Sequence, residues 1–273
     1  KLSMRHVVKT RADFIALLSR LNAPGGESQI AYGWAEGIGY HWDFGREASA
    51  VTILDGIQAV IFDLDGLMVD SEPIALDVWR EVLDPYGVKL SAQVYSRVIG
   101  LEPRRGAGMM IGTFDLPLTV EELLDTYWQH RTKVMEQRID PQPGLLNLVE
   151  MLDKAGLQLG VASNSPHFYV RRILTAIGLD QRMACTVGSD QVQAGKPAPD
   201  VYLAAAECLD VRPEACLAIE DSPAGVEAVH AAGMRCVAVP NRELAGEDFS
   251  LADMEFGSLE AFHKFVKVEL LAD

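Results

Sequence analysis

Residues 60–73 read VIFDLDGLMVDSEP. The run Val60-Ile61-Phe62 has the pattern of a buried strand. It stops on Asp63, with Asp65 two residues on and Gly66 after it. Two carboxylates at the end of a buried strand repel each other, so the stretch calls for a cation or a reason to keep charge there. A turn-initiating aspartate followed by an Asp-Gly turn explains it equally well, and the stretch alone does not choose.

Working outward from it, short β-rich runs at 58–63, 157–162, 184–187, 216–220 and 235–239 alternate with helical patterns at 144–155, 166–177, 198–209 and 223–232. Gly156, Gly178 and Gly233 follow three of these helices as stop signals. Short, uniformly apolar strands between helices predict a parallel sheet covered on both faces. That is a doubly wound α/β architecture, with ligands at the carboxyl ends of the strands. Residues 72–138 break the alternation and carry only helical patterns, best seen at 119–137, where Thr119 and Glu122 form a capping-box pair. This insert, bracketed by Gly66 and by Pro141-Gln142-Pro143-Gly144, predicts a small helical cap over 72–138. The core then takes 57–71 and 139–273.

Residues 1–56 form an N-terminal extension. Thr10 with Asp13 marks a helix start, and Phe14, Leu17, Leu18 and Leu21 repeat at helical spacing. The stretch AYGWAEGIGYHWDFG at 31–45 is rich in glycine and aromatics. A stacking platform for a ligand or nucleic acid is one reading. We expect instead a β-hairpin or an appended segment without a catalytic role. Five basic residues against one acidic in 1–20 faintly resemble a targeting peptide.

The net charge of −15, from 24 basic and 39 acidic residues, disfavours nucleic acid and anionic membrane surfaces. A phosphorylated ligand would have to be drawn in locally. No apolar stretch approaches a membrane span. The four cysteines, Cys185, Cys208, Cys216 and Cys236, lack paired metal-type spacing and read as reduced thiols of an intracellular protein. The expectation is a soluble cytoplasmic protein, monomeric, with no nucleic-acid or membrane partner.

Three further polar clusters close apolar strands: Ser163-Asn164-Ser165, GKPAPD with Lys196, and Glu220-Asp221-Ser222-Pro223. Each has an ordinary reading as a helix cap or a solvated turn. In a doubly wound sheet, however, all four clusters converge on one crevice. The combination of DLDG, VASNS, GKPAPD and IEDSPAGVEA resembles the haloacid dehalogenase-like hydrolase superfamily, in its phosphatase and phosphomutase branch, over roughly residues 57–240.

The resemblance implies a Rossmann-like core with a mobile cap, and phosphoryl transfer through an aspartyl-phosphate. Asp63 matches the family nucleophile and Asp65 the general acid/base. Ser163 and Lys196 match the phosphate-binding residues, with the Asn164 amide as a helper. It also implies Mg²⁺, held by the Asp63 side chain, the Asp65 carbonyl and the Asp221 side chain, with Glu220 in or next to the shell. Asp65 marks the phosphoryl-transfer branch, so dehalogenation is set aside. A receiver domain is far shorter and lacks a helical insert. The serious rival is a sugar phosphomutase of the β-phosphoglucomutase type. That family has a cap histidine where Ala75 stands, and Lys and Arg where Ile99 and Pro103 fall. The resemblance therefore implies a phosphatase acting on a small phosphorylated metabolite, a sugar or polyol phosphate. Glu72, Trp79, Arg104, Arg105, Tyr127 and His130 are the cap candidates for specificity.

Overall fold

The computed structural model describes residues 31–35, 38–42, 53–98, 103–244 and 246–270. The helix expected from Thr10, residues 43–52 of the extension and Ile99 lie outside them. The hairpin expected within 31–45 is present: β1 (Ala31–Ala35) pairs antiparallel with β2 (Ile38–Trp42).

All five expected core strands form, each within a residue of its expected limits at either end: β3 (Ala59–Phe62), β4 (Gln158–Ala162), β5 (Cys185–Val187), β6 (Cys216–Glu220) and β7 (Arg235–Ala238). A two-residue edge strand, β8 (Met254–Glu255), adds to them. It is too short to leave a periodic signal. The order is β5-β4-β3-β6-β7-β8, with every pair parallel. This is the order of a Rossmann-like sheet, and β3 sits where it reverses, with β4 on one side and β6 on the other.

Among the described residues, the regular elements of the insert are all helical: α1 (Glu72–Leu83), the short α2 (Ala92–Tyr95), α3 (Pro103–Phe114) and α4 (Val120–Arg138). Thr119 caps α4 with the expected reciprocal box, its hydroxyl accepting from the Glu122 amide while the Glu122 carboxylate accepts from the Thr119 amide. The core helices are α5 (Leu145–Lys154), α6 (His167–Ala176), α7 (Asp200–Cys208), α8 (Pro223–Ala231) and a C-terminal α9 (Leu259–Glu269). Strand pleating divides the core. Val60 and Phe62 pack with Leu148, Ile173 and Phe262 from α5, α6 and α9. Ala59 and Ile61 face the other way, onto Val201, Tyr202 and Val229 from α7 and α8. Both faces are covered, which is why β3 reads as an unbroken apolar run. Packing begins slightly before residue 57: Ile53 is buried and its carbonyl accepts from Arg235 Nη1 at 3.0 Å.

One expectation is corrected. Cys185 on β5 and Cys208 at the end of α7 form a disulfide, so the four cysteines are not all reduced thiols. The two lie 23 residues apart in sequence, and the crossover from β5 back along α7 brings their Cα atoms to 6.0 Å. Only the packing of α7 on the sheet reveals that proximity. Cys216 and Cys236 are free and buried. Among the described residues, no helix is long and apolar enough to cross a membrane.

Candidate active site

The four polar clusters meet at the carboxyl ends of β3–β6. Asp63 follows β3, its amide bonded to the Ile219 carbonyl of β6 at 3.0 Å, which sets it beside Glu220 and Asp221. Ser163 follows β4, and Lys196 lies in the loop that leads from β5 to α7.

Lys196 is buried, and all its ammonium protons are used. Nζ donates to Asp63 Oδ1, to Glu220 Oε1 at 2.6 Å and to the Ala162 carbonyl at 2.9 Å. Burial works to lower its pKa, but Asp63 and Glu220 outweigh that and hold it above the ordinary lysine range. Glu220 is fully buried, and donors saturate it. Oε1 takes Lys196 and the Tyr202 hydroxyl, at 2.6 Å each. Oε2 takes the Asp221 amide at 3.1 Å and the Ser222 hydroxyl at 3.2 Å. The Asn164 side chain brackets the Lys196 backbone, accepting from its amide at 2.7 Å and donating to its carbonyl at 3.2 Å. Asn164 therefore positions Lys196 rather than pointing its amide into the crevice.

Asp63, Glu220 and Asp221 each offer a carboxylate oxygen, all within 4.8 Å of one another. Burial, with Glu220 and Asp65 adding repulsion against Lys196, pushes the Asp63 carboxyl up to about 8. Burial likewise raises Asp221, with Asp63 and Glu220 contributing. Hard oxygen donors with charge that one lysine does not balance are the donor set of a divalent cation such as Mg²⁺, so the residues fit such an ion. Gly66, with φ of +89°, is what lets the Asp65 loop lie against this cluster; a Cβ there would stand 2.0 Å from Asp221 Oδ2.

Asp65 faces the cap. Its Oδ2 accepts from the Ser165 hydroxyl at 2.5 Å, and its Oδ1 from the Tyr169 hydroxyl at 3.1 Å and from Arg131 Nη2 at 2.6 Å. Arg131 comes from α4 in the cap. Of the cap candidates, Trp79 and Tyr127 are buried and stacked at 4.2 Å between ring centres. Arg104 and His130 instead pair with Glu121 and Glu81 on the surface. The side chain of Glu72 lies outside the described residues.

Sequence reading missed Arg131, Tyr169, Tyr202 and Asn241, whose side-chain amide donates to Asp221 Oδ2 at 2.7 Å. Arg131 alone left a signal: a charge within the apolar repeat Leu124, Trp128, Met135 on one helix face. The other three belong to no motif.

Fold and site together define a capped α/β enzyme whose carboxylates and lysine meet at a sheet's switch point. The chain matches the haloacid dehalogenase-like hydrolases over residues 60–239 and belongs to that family. It is 30% identical over 221 residues to hexitol phosphatase B of Escherichia coli, covering 74% of this chain and 93% of that one. It is 29% identical over 178 residues to a phosphorylated carbohydrates phosphatase of Thermotoga maritima, covering 65% and 82%. Among solved structures, CbbY of Rhodobacter sphaeroides in complex with phosphate superposes with a TM-score of 0.69 at 25% identity, covering 75% and 95%. A β-phosphoglucomutase of Clostridium difficile shares the fold, with a TM-score of 0.66 at 20% identity, covering 80% and 100%.

Proposed function

We propose that this hydrolase is a Mg²⁺-dependent phosphatase of small sugar or polyol phosphates, working through an aspartyl-phosphate on Asp63. The observation that carries this reading is the pair at the end of β3. Asp63 is gripped by Lys196 inside an acidic, metal-competent cluster, while Asp65 sits beside it on separate donors. The names of the Escherichia coli and Thermotoga maritima relatives point to the same substrate class.

In the first half-reaction an Asp63 oxygen attacks phosphorus, the bond to the substrate oxygen breaks, and Asp65 delivers a proton to that oxygen. In the second, Asp65 takes a proton from water, the water oxygen attacks the same phosphorus, and Asp63 leaves as a free carboxylate with inorganic phosphate. Ser163 holds the phosphoryl oxygens together with Lys196, which turns its Asp63-bound proton toward them as Asp63 attacks, and Asn164 keeps Lys196 in place. Asp63, Asp221 and the Asp65 carbonyl would hold the ion, with Glu220 next to the shell steering Lys196. When bound, Mg²⁺ supplies charge neutralisation and orientation for the phosphate.

The catalytic core comprises 57–71 and 139–273 and the cap 72–138, with 1–56 outside the chemistry. The enzyme acts as a monomer on a small molecule, without nucleic acid or membrane. A cytoplasmic home suits a metabolite phosphatase. The Cys185–Cys208 bridge weighs against it, and cell fractionation decides between them.

Ala75 supports hydrolysis over mutase chemistry: it is buried on α1, and its methyl offers neither proton nor hydrogen bond. The test screens phosphorylated sugars and polyols with Mg²⁺, and adds β-glucose 1-phosphate with catalytic glucose 1,6-bisphosphate. Free phosphate should be the main product, should vanish with excess chelator, and should vanish in Asp63→Asn. Glucose 6-phosphate appearing faster than free phosphate would replace the phosphatase with a mutase.

A further inference from the structure

Arg131 is a charged residue on the buried side of α4. Leu124, Tyr127, Trp128, Thr132 and Met135 around it are all buried. An ionised guanidinium in such surroundings carries a desolvation cost that only a close partner offsets. That partner lies in the other domain. Nη2 reaches Asp65 Oδ1 at 2.6 Å, with the two side chains 8% and 19% exposed. The head group is itself tightly fixed. Nη1 donates to the Tyr127 hydroxyl at 2.8 Å, and the guanidinium carbon lies 5.3 Å from the centre of the Trp128 ring and 5.2 Å from that of Tyr169. Three rings thus aim one cation at one carboxylate.

The core supplies Asp65 with one hydroxyl per oxygen, from Ser165 and Tyr169. The terminal torsion of an aspartate is broad, so hydroxyls that can themselves rotate define the carboxylate plane weakly. A planar guanidinium locked between rings defines it far better.

We infer that Arg131 is a positioning residue that acts through Asp65. It fixes the orientation of the carboxylate, and because the cap carries it, that orientation is complete only with the cap seated on the core. The inference rests on the phosphatase reading, in which Asp65 handles the proton in both half-reactions. Cap closure and competence for proton transfer then become one event, so water reaching an open site meets a misaligned base.

The test is a double-mutant cycle with p-nitrophenyl phosphate and Mg²⁺. Arg131→Met keeps much of the length and suits the apolar stripe, so the fold should survive. Arg131→Lys keeps the charge without the planar fork and provides a second folded variant. A misaligned catalytic group costs up to about 100-fold, so Arg131→Met should lower kcat about 10- to 100-fold, with Arg131→Lys between it and wild type. KM should stay within about twofold of wild type, because the contact is to Asp65 and not to substrate. In an Asp65→Asn background the same Arg131→Met change should cost less than about twofold, because residues that act as a unit are not additive. A folded Arg131→Met with unchanged kcat overturns the inference. So does a rise in KM at constant kcat, or an equal loss in the Asp65→Asn background, since either makes Arg131 a substrate contact. A wild-type enzyme that releases no phosphate from any substrate overturns the phosphatase reading itself, a different result from an active enzyme indifferent to Arg131.

Discussion

Glu220 shows how one residue can be legible in type and not in role. Its place at the end of an apolar strand marks it as part of the site, and its neighbour Asp221 suggests a shared ligand shell. Five donors around its two oxygens show instead a buried anion that holds Lys196 against Asp63. Sequence spacing cannot show saturation, because Tyr202 reaches it from α7, a separate element. The same crowding makes Gly225 necessary. A Cβ there would fall 1.9 Å from the Glu220 carboxyl carbon and 2.1 Å from Oε2. Alanine normally favours a helix over glycine by about 1 kcal/mol, so a stability gain is the outcome if space exists. The clash decides otherwise: overpacking costs about 1–3 kcal/mol, and the displaced carboxylate takes Lys196 with it. Gly225→Ala should therefore lower both Tm and kcat, the latter by tenfold or more on the order of a misplaced catalytic group. Thermal melts and phosphate-release kinetics on the same preparation check this, and a more stable, fully active variant would show that Glu220 does not steer Lys196.

At the scale of elements, the sequence carried most of what the structure shows. The core strands are short but uniformly apolar, three core helices stop at glycines, and the Thr119–Glu122 box announces α4, so each of these has a local cause visible in a few residues. β8 and the disulfide had none. The first is two residues long, and the second depends on how α7 lies against β5. The bridge closes the segment 185–208, and Lys196 lies inside it, so it constrains the loop that presents the ammonium group. Chain-entropy reasoning assigns a loop of this size about 3 kcal/mol. In a chain of this size that corresponds to a Tm change of roughly 6–12 °C. Cys208 is exposed, so reductant can reach it. Cys208→Ser, or wild type in reductant, should melt lower by that amount while keeping its helix content. Identical melting with and without reductant would mean that the bridge does not hold the loop.

At the scale of the whole molecule, charge and topology answer different questions. The net charge of −15 disfavours an anionic ligand except where positive charge is concentrated locally, and Lys196 sits in a crevice the sheet order creates. Among the described residues, those that build the crevice all follow the extension. The site side chains described above run from Asp63 to Asn241, and the core starts to close at Ile53. Ile53 and Ile57 are buried, Leu54 packs on the same cluster, and the Ile53 carbonyl is tied to Arg235. A shortened chain should therefore begin ahead of Ile53 and not at the motif boundary near residue 57. Starting at Val51, the enzyme should keep wild-type kcat, KM and Tm. Starting at Ile57, it should keep the chemistry but lose stability, because each buried isoleucine contributes about 1.5–3 kcal/mol. Comparing the two chains by thermal melts and phosphate release separates an anchoring role for 53–56 from a catalytic role for the extension. A folded chain starting at Val51 that has lost kcat would show that residues before it reach the active site.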